Sequence, residues 1–197
     1  MDALPFSQAC ENNKAPILEV LSRVFADRNA VLEVASGTGQ HATWFAGHLP
    51  HLSWQPTELP EHLPVLMPRC EHYAGTNLRP PLVLDVSQRP WPITVPTAIF
   101  SANSLHIMPF SSVEDFFAEL GDSAPEGTLL AIYGPFNYNG AYTSESNSRF
   151  DQWLAQQSPY SAIRDFEAVN ALAESAGFTL QEDNAMPANN RLVVWRS

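Results

Sequence analysis

The chain has 197 residues, 45% of them hydrophobic, which suits one domain with a full core. A net charge of −11 with one lysine, Lys14, leaves no basic patch of the kind a phosphate backbone or an anionic bilayer requires, so neither nucleic acid nor membrane is expected as a partner. No apolar run reaches the ~18–20 residues of a bilayer span, and the first residues lack the basic and apolar regions of a secretory signal, so the cytoplasm is the expected compartment.

The first predicted element is a helix over 11–26. Ile17, Leu18, Leu21, Val24 and Phe25 share one face, and Pro16 is tolerated near the first turn of its regular part. Residues 1–29 form a helical segment, carrying Asn12, Asn13 and Lys14, that can fold over a pocket as a lid; residues 30–197 form the core. Cys10 and Cys70 show no CxxC spacing and are expected to stay reduced. Next comes Ala30-Val31-Leu32-Glu33-Val34-Ala35-Ser36-Gly37-Thr38-Gly39-Gln40-His41-Ala42. It reads as a strand over 30–35, a small-residue turn, and a helix over 39–49. Gly37 and Gly39 admit a ligand close to the backbone where a Cβ would clash. The new helix offers unpaired N–H groups. Such a corner suits an anionic or polar nucleotide-like cofactor.

Ser53-Trp54-Gln55-Pro56-Thr57 is a short strand, and 59–72 a helix interrupted by proline. The run 82–86 reads as a buried strand and 98–102 as another. A helix over 113–120 has Ser111 or Ser112 as its expected N-cap. A central strand over 127–133 leads into Tyr133-Gly134-Pro135-Phe136-Asn137-Tyr138-Asn139-Gly140-Ala141-Tyr142-Thr143, a loop of rings and amides suited to a small polar or aromatic ligand. Helices follow over 146–157 and 166–176. Arg164-Asp165 reads as a local ion pair before the second, and Gly177 as its stop. Runs 178–184 and 191–195, joined by a turn-rich link, form an antiparallel hairpin. The six histidines have no metal-ligand spacing, and no metal is expected. The alternation predicts a doubly wound α/β sheet whose edge carries one antiparallel strand, with the glycine corner at its switch point.

Glu33-Val34-Ala35-Ser36-Gly37-Thr38-Gly39 resembles motif I of class I S-adenosylmethionine-dependent methyltransferases, written acidic-x-Gly-x-Gly-x-Gly, with Ala35 in the first glycine place. More specifically, the chain resembles the DUF938 family, also called methyltransferase-like protein 26, over nearly its whole length. The residues that carry this are Pro5-Phe6-Ser7, Asn13-Lys14-Ala15-Pro16-Ile17-Leu18, Ala35 to His41, Trp54-Gln55-Pro56-Thr57, Ile163-Arg164-Asp165-Phe166 and Met186-Pro187-Ala188-Asn189-Asn190. The resemblance implies a seven-stranded Rossmann-like sheet, mostly parallel, closing in a C-terminal hairpin. It implies S-adenosyl-L-methionine as cofactor. The backbone of Ala35, Gly37 and Gly39 would hold its methionine part, with Glu33 acting through water or the amino group. Glu58 would accept the ribose hydroxyls, Asp85 the adenine amino group, and the Val86 N–H would meet a ring nitrogen. The segment 101–106, with Asn103, would pass the reacting methyl.

The residue types suit this chemistry on their own terms. A carboxylate accepts two hydrogen bonds from a diol or takes an exocyclic amine. The sulfonium is a cation that Trp44, Phe45, Tyr133, Phe136, Tyr138 or Tyr142 can hold by cation–π contact. In-line methyl transfer needs alignment and exclusion of water. His106, as a base or orienting group, Tyr133 and Asn137 are the acceptor-side candidates. His41 either lines the pocket or packs. The expected function is methyl transfer to an unidentified small-molecule acceptor. Two rivals stay open. Gly37-Thr38-Gly39-Gln40-His41-Ala42 also satisfies G-x-G-x-x-A, with Glu58 about 20 residues on, as in an NAD-dependent oxidoreductase. A non-catalytic module that binds cofactor or a protein partner is the other.

Overall fold

The structure is a computed structural model describing residues 4–197. In chain order its elements are α1 (Gln8–Val24), β1 (Ala30–Val34), α2 (Gln40–His48), β2 (Ser53–Glu58), α3 (Leu63–Glu71), β3 (Leu82–Val83), β4 (Ala98–Ala102), α4 (Phe110–Ser123), β5 (Leu129–Gly134), β6 (Phe136–Asn137), α5 (Glu145–Gln157), β7 (Arg164–Asp165), α6 (Phe166–Ser175), β8 (Thr179–Met186) and β9 (Asn190–Arg196). Seven strands form one sheet in the order β3-β2-β1-β4-β5-β9-β8, and β6 pairs with β7 apart from it. Strands β1 to β5 of this sheet run parallel, while β9 is antiparallel to both β5 and β8. The antiparallel strand therefore lies one place in from the edge, not at the edge as the alternation suggested. Its residues explain why: Leu192, Val193, Val194 and Trp195 are all buried, whereas no residue of β8 is.

Side chains alternate between two apolar layers, as a sheet covered on both faces requires. Val31, Phe100, Ala131 and Val194 point to the layer holding α1 and α2; Leu32, Ile99, Leu130 and Val193 point to the layer holding α4 and α6. On the first side Phe45, Trp54 and Phe100 pack ring on ring at 5.4–6.1 Å. This is the anchor beneath the glycine corner.

Several boundaries differ from expectation for physical reasons. Helix α1 starts at Gln8 because Ser7 caps it, its Oγ accepting from Cys10 N. Helix α4 starts at Phe110 behind an extended Pro109, with no side-chain cap from Ser111 or Ser112. The expected buried strand over 82–86 contributes only Leu82 and Val83, an exposed edge. The chain then leaves the sheet, and Leu84 and Val86 enter the core from the following turn. Gly177 ends α6 at φ +85°, as expected of a helix stop. Among the described residues no helix is long and apolar enough to cross a membrane.

Candidate functional site

The parallel strands β1, β2, β4 and β5 all end on one side, and the loops after them enclose a cavity of about 1050 Å³. The turn after β1 is welded to β2 by Ser36 N to Thr57 O (2.9 Å), Thr57 N to Ser36 Oγ (3.2 Å) and Thr57 Oγ1 to Glu33 O (2.7 Å). Ala35, Gly37 and Gly39 all take positive φ (59°, 56° and 75°). At Gly37 the left-handed backbone faces open cavity, since a Cβ there would meet nothing within 4 Å. Its N–H donates to Glu58 Oε2 (2.8 Å), and Leu59 N donates to Oε1 (2.9 Å). Glu58 is thus fixed in the cavity wall, each oxygen holding one donor and keeping room for another.

After β3, Asp85 Oδ1 accepts from Ser87 N (3.0 Å) and Ser87 Oγ (2.7 Å). Oδ2 and the neighbouring Val86 N–H make no hydrogen bond among the described residues. An acceptor and a donor therefore stand side by side at the wall. After β4, Asn103 turns at φ 56°, its N–H bound to Tyr133 O (2.8 Å), and Ser101 Oγ ties the loop back to Val34 O (2.8 Å). Glu58, Asp85, Val86, Asn103, Ala35 and Gly37 all line this one cavity.

Two residues of the glycine motif lie elsewhere. The Glu33 carboxylate is buried and accepts from the Trp54 indole Nε1 (2.7 Å). Burial pushes it up to about 8, so it stays protonated near neutrality and does not line the cavity. A Cβ on Gly39 would come within 2.9 Å of Leu66 Cδ1, so this glycine serves the close approach of α2 and α3 rather than a ligand.

The opposite half of the cavity is carried by His106, Tyr133 and helix α5. His106 is buried edge-on against Phe150 (ring centroids 5.5 Å apart), and no hydrogen bond reaches its imidazole among the described residues. Burial, then the charge of Arg164, holds it down to about 4, hence neutral. Tyr133 is buried in the wall; burial pushes its hydroxyl up against a hydrogen bond from Asn13. Asn137 is not part of the cavity. It sits in the small β6–β7 ladder, where its Oδ1 is buried without a partner. Of the six rings expected near a sulfonium, only Tyr133 lines the site. Trp44 carries Lys14 on its face at 4.2 Å, Phe45 and Phe136 belong to the core, Tyr138 bonds Asp183 (2.7 Å), and Tyr142 bonds Asp151 (2.8 Å). The ring wall comes instead from Phe150 and Trp153 on α5, which no sequence motif marks.

Ser7, the N-cap of α1, and Cys10, Asn12 and Asn13 on the helix supply a further wall. Gln40 grips Ser7 at both its N–H and its carbonyl and donates to Glu11 Oε1 (2.8 Å). His41, held neutral by burial at about 4, donates from Nε2 to Asn13 Oδ1 (2.6 Å) and stacks on Phe45 (5.3 Å). Both cysteines are free thiols. Arg164 makes no ion pair with Asp165. Its guanidinium donates to the carbonyls of Leu105 (2.9 Å), Met108 (2.6 Å) and Tyr160 (2.9 Å), clamping the loop that presents His106. Among the described residues no cluster has the makings of a metal site.

A parallel sheet with one antiparallel strand inserted next to its last, and a cavity across the ends of its central strands, is the class I methyltransferase architecture. A dinucleotide-binding sheet runs 3-2-1-4-5-6 without that insertion. The chain belongs to the DUF938 family, described as of unknown function, whose model matches residues 4–197. Solved structures share the fold. An O-methyltransferase family protein from Burkholderia thailandensis is 14% identical, with TM-score 0.80 over 93% of this chain and 55% of its own. An O-methyltransferase family 2 protein from Planctomyces limnophilus, in complex with apigenin, is 16% identical, with TM-score 0.80 over 95% of this chain and 57% of its own. Human N-acetylserotonin methyltransferase, in complex with S-adenosylmethionine, is 13% identical, with TM-score 0.72 over 93% of this chain and 55% of its own. The chain thus spans little more than half the length of these proteins.

Proposed function

We propose that this chain is an S-adenosylmethionine-dependent methyltransferase acting on a small-molecule acceptor in the cytoplasm. The observation that carries the reading is the set of spare hydrogen-bonding groups along one wall. Glu58 has acceptor capacity left on both oxygens, suited to a ribose diol. Asp85 Oδ2 and Val86 N–H offer the acceptor–donor pair that an adenine edge answers. Ala35, Gly37 and Asn103 line the part left for the methionine end. Bound there, the cofactor supplies a methyl group on a sulfonium. The volume, about 1050 Å³, lies at the upper end of the ~300–1,000 Å³ of small-molecule pockets.

The chain's own contribution to the transfer is placement and a proton sink. The walls of the cavity would hold the acceptor's nucleophilic atom in line with the methyl group that the bound cofactor would supply, and would exclude water from it. The acceptor proton passes to His106, which is neutral and unpartnered beside the cavity. Residues 4–197 act as one domain in this reading, with the start of α1 as a lid already seated. The apigenin and S-adenosylmethionine complexes of the fold's relatives support a small acceptor and this cofactor. The test is a screen of fractionated metabolites with methyl-labelled cofactor. Label is expected in a small molecule, and His106→Asn is expected to slow the transfer about 100-fold. Label in no small-molecule fraction, with the cofactor demonstrably bound, would favour the non-catalytic module.

A further inference from the structure

Resting on that reading of the cavity, we infer that the acceptor is an uncharged planar aromatic compound, laid against the Phe150–Trp153 wall, and that the site rejects carboxylated and phosphorylated acceptors. Phe150 and Trp153 lie one turn apart on α5, with rings within 15° of parallel and centroids 5.8 Å apart. Both face the cavity, and Trp153 stays half exposed at its mouth. Phe150 also touches the His106 ring, so a flat ligand on this wall lies beside the proton acceptor. Ile107, Met108, Pro109 and Pro135 complete an apolar surround. Aromatic faces favour such a ligand beyond the area they bury.

The charge of the site supplies the second half of the inference. Among the described residues the cavity is lined by no lysine and no arginine; its formal charges are the carboxylates Glu58 and Asp85. Tyr133, Ser112, Ser146, Asn147 and Asn190 add neutral polar groups. Arg164, whose charge bears on His106, does not line the cavity. Nε and Nη2 are spent on three carbonyls, and the guanidinium lies 5.6 Å from the Phe110 ring centroid. An acceptor carboxylate or phosphate would shed water with no lysine or arginine of the cavity wall to replace it, inside a chain of net charge −11. A neutral ring loses little water and gains the aromatic wall.

The test is calorimetric titration of the full chain, with and without saturating S-adenosylhomocysteine. The probes are 2-naphthol and its anionic analogue 6-hydroxy-2-naphthoate. Naphthol is expected to bind at least about tenfold more tightly than the naphthoate. Trp153→Ala, at an exposed position, is expected to weaken naphthol at least about fivefold while S-adenosylhomocysteine binds as before. Equal or tighter binding of the naphthoate overturns the inference. So does no binding of either probe, or naphthol binding that ignores Trp153→Ala. Loss of S-adenosylhomocysteine binding by the unaltered chain would instead count against the methyltransferase reading, while the two-probe comparison still decides the acceptor's charge.

Discussion

Ala35 carries a side chain at φ 59°, where the backbone favours none. A Cβ in the left-handed region costs ~1–2 kcal/mol, offset in part by the ~0.5–1 kcal/mol that glycine loses through its freer unfolded chain. Ala35→Gly is therefore expected to stabilise the protein by about 0.5–1 kcal/mol, read as a raised urea midpoint with unchanged slope. A lowered midpoint would show that the Ala35 methyl packs more usefully than its conformation costs. Glu33 permits a sharper prediction. Its carboxyl is raised from 4.5 to about 8 by burial, opposed by the Trp54 indole. The native state keeps a proton that the unfolded chain releases, so this group lowers stability as pH rises between those limits. Glu33→Gln keeps an acceptor for the indole and removes the titration. Its stability relative to the unaltered chain should grow by ~2 kcal/mol from about pH 5.5 to about pH 7.5. A constant difference would mean the carboxyl ionises as in water. The sequence shows that an acid within an apolar strand needs a partner. It does not show that the partner is Trp54 one strand away, because only the β1–β2 register brings them together.

At the scale of elements, the start of α1 is held by groups from α2 and α3. Gln40 and His41 grip Ser7, Glu11 and Asn13, and Arg69 reaches the Pro5 carbonyl. Gln40→Ala is expected to speed amide exchange through residues 5–13, with S-adenosylhomocysteine restoring part of the protection. Unchanged exchange would show that apolar packing of Ile17 and Leu21 alone seats the helix. Strand and helix order was legible because apolar runs and glycines punctuate it, and the resemblance singled out Glu58 and Asp85 after strands, both of which line the cavity. On the proposed acceptor side His106 and Tyr133 line the cavity as the sequence suggested, but the rest of that wall was not legible, for two reasons. The loop 133–143 is absorbed into structure, with Tyr138 pinned to Asp183 and Asn137 drawn into β6. Its place is taken by Phe150 and Trp153, whose helix reaches the cavity only through tertiary packing. Arg164 likewise read as half of a local ion pair with Asp165, yet its partners are carbonyls more than fifty residues away or across its own loop.

For the whole molecule, three buried ionisable groups oppose one another. His41 and His106 are depressed from 6.5 to about 4 by burial, so each withdraws stability as pH falls from 6.5 towards 4. Glu33 acts in the other sense, from 4.5 to about 8. Two histidines outweigh one carboxyl below 6.5, and the carboxyl acts alone above it. Urea unfolding should therefore give greatest stability near pH 6.5, and a curve rising steadily to pH 8 would refute this balance. The sheet order explains why the cavity-lining groups share one end of the molecule: parallel strands deliver every following loop to the same edge. The central claim is that this edge binds an adenosine cofactor through Glu58, Asp85 and Val86. Calorimetric titration with S-adenosylhomocysteine tests it most directly. One site is expected, weakened by ~10–100-fold in Glu58→Gln and in Asp85→Asn, with no heat from NADH. No heat from S-adenosylhomocysteine at about millimolar concentration, or equal affinity in both variants, would contradict it.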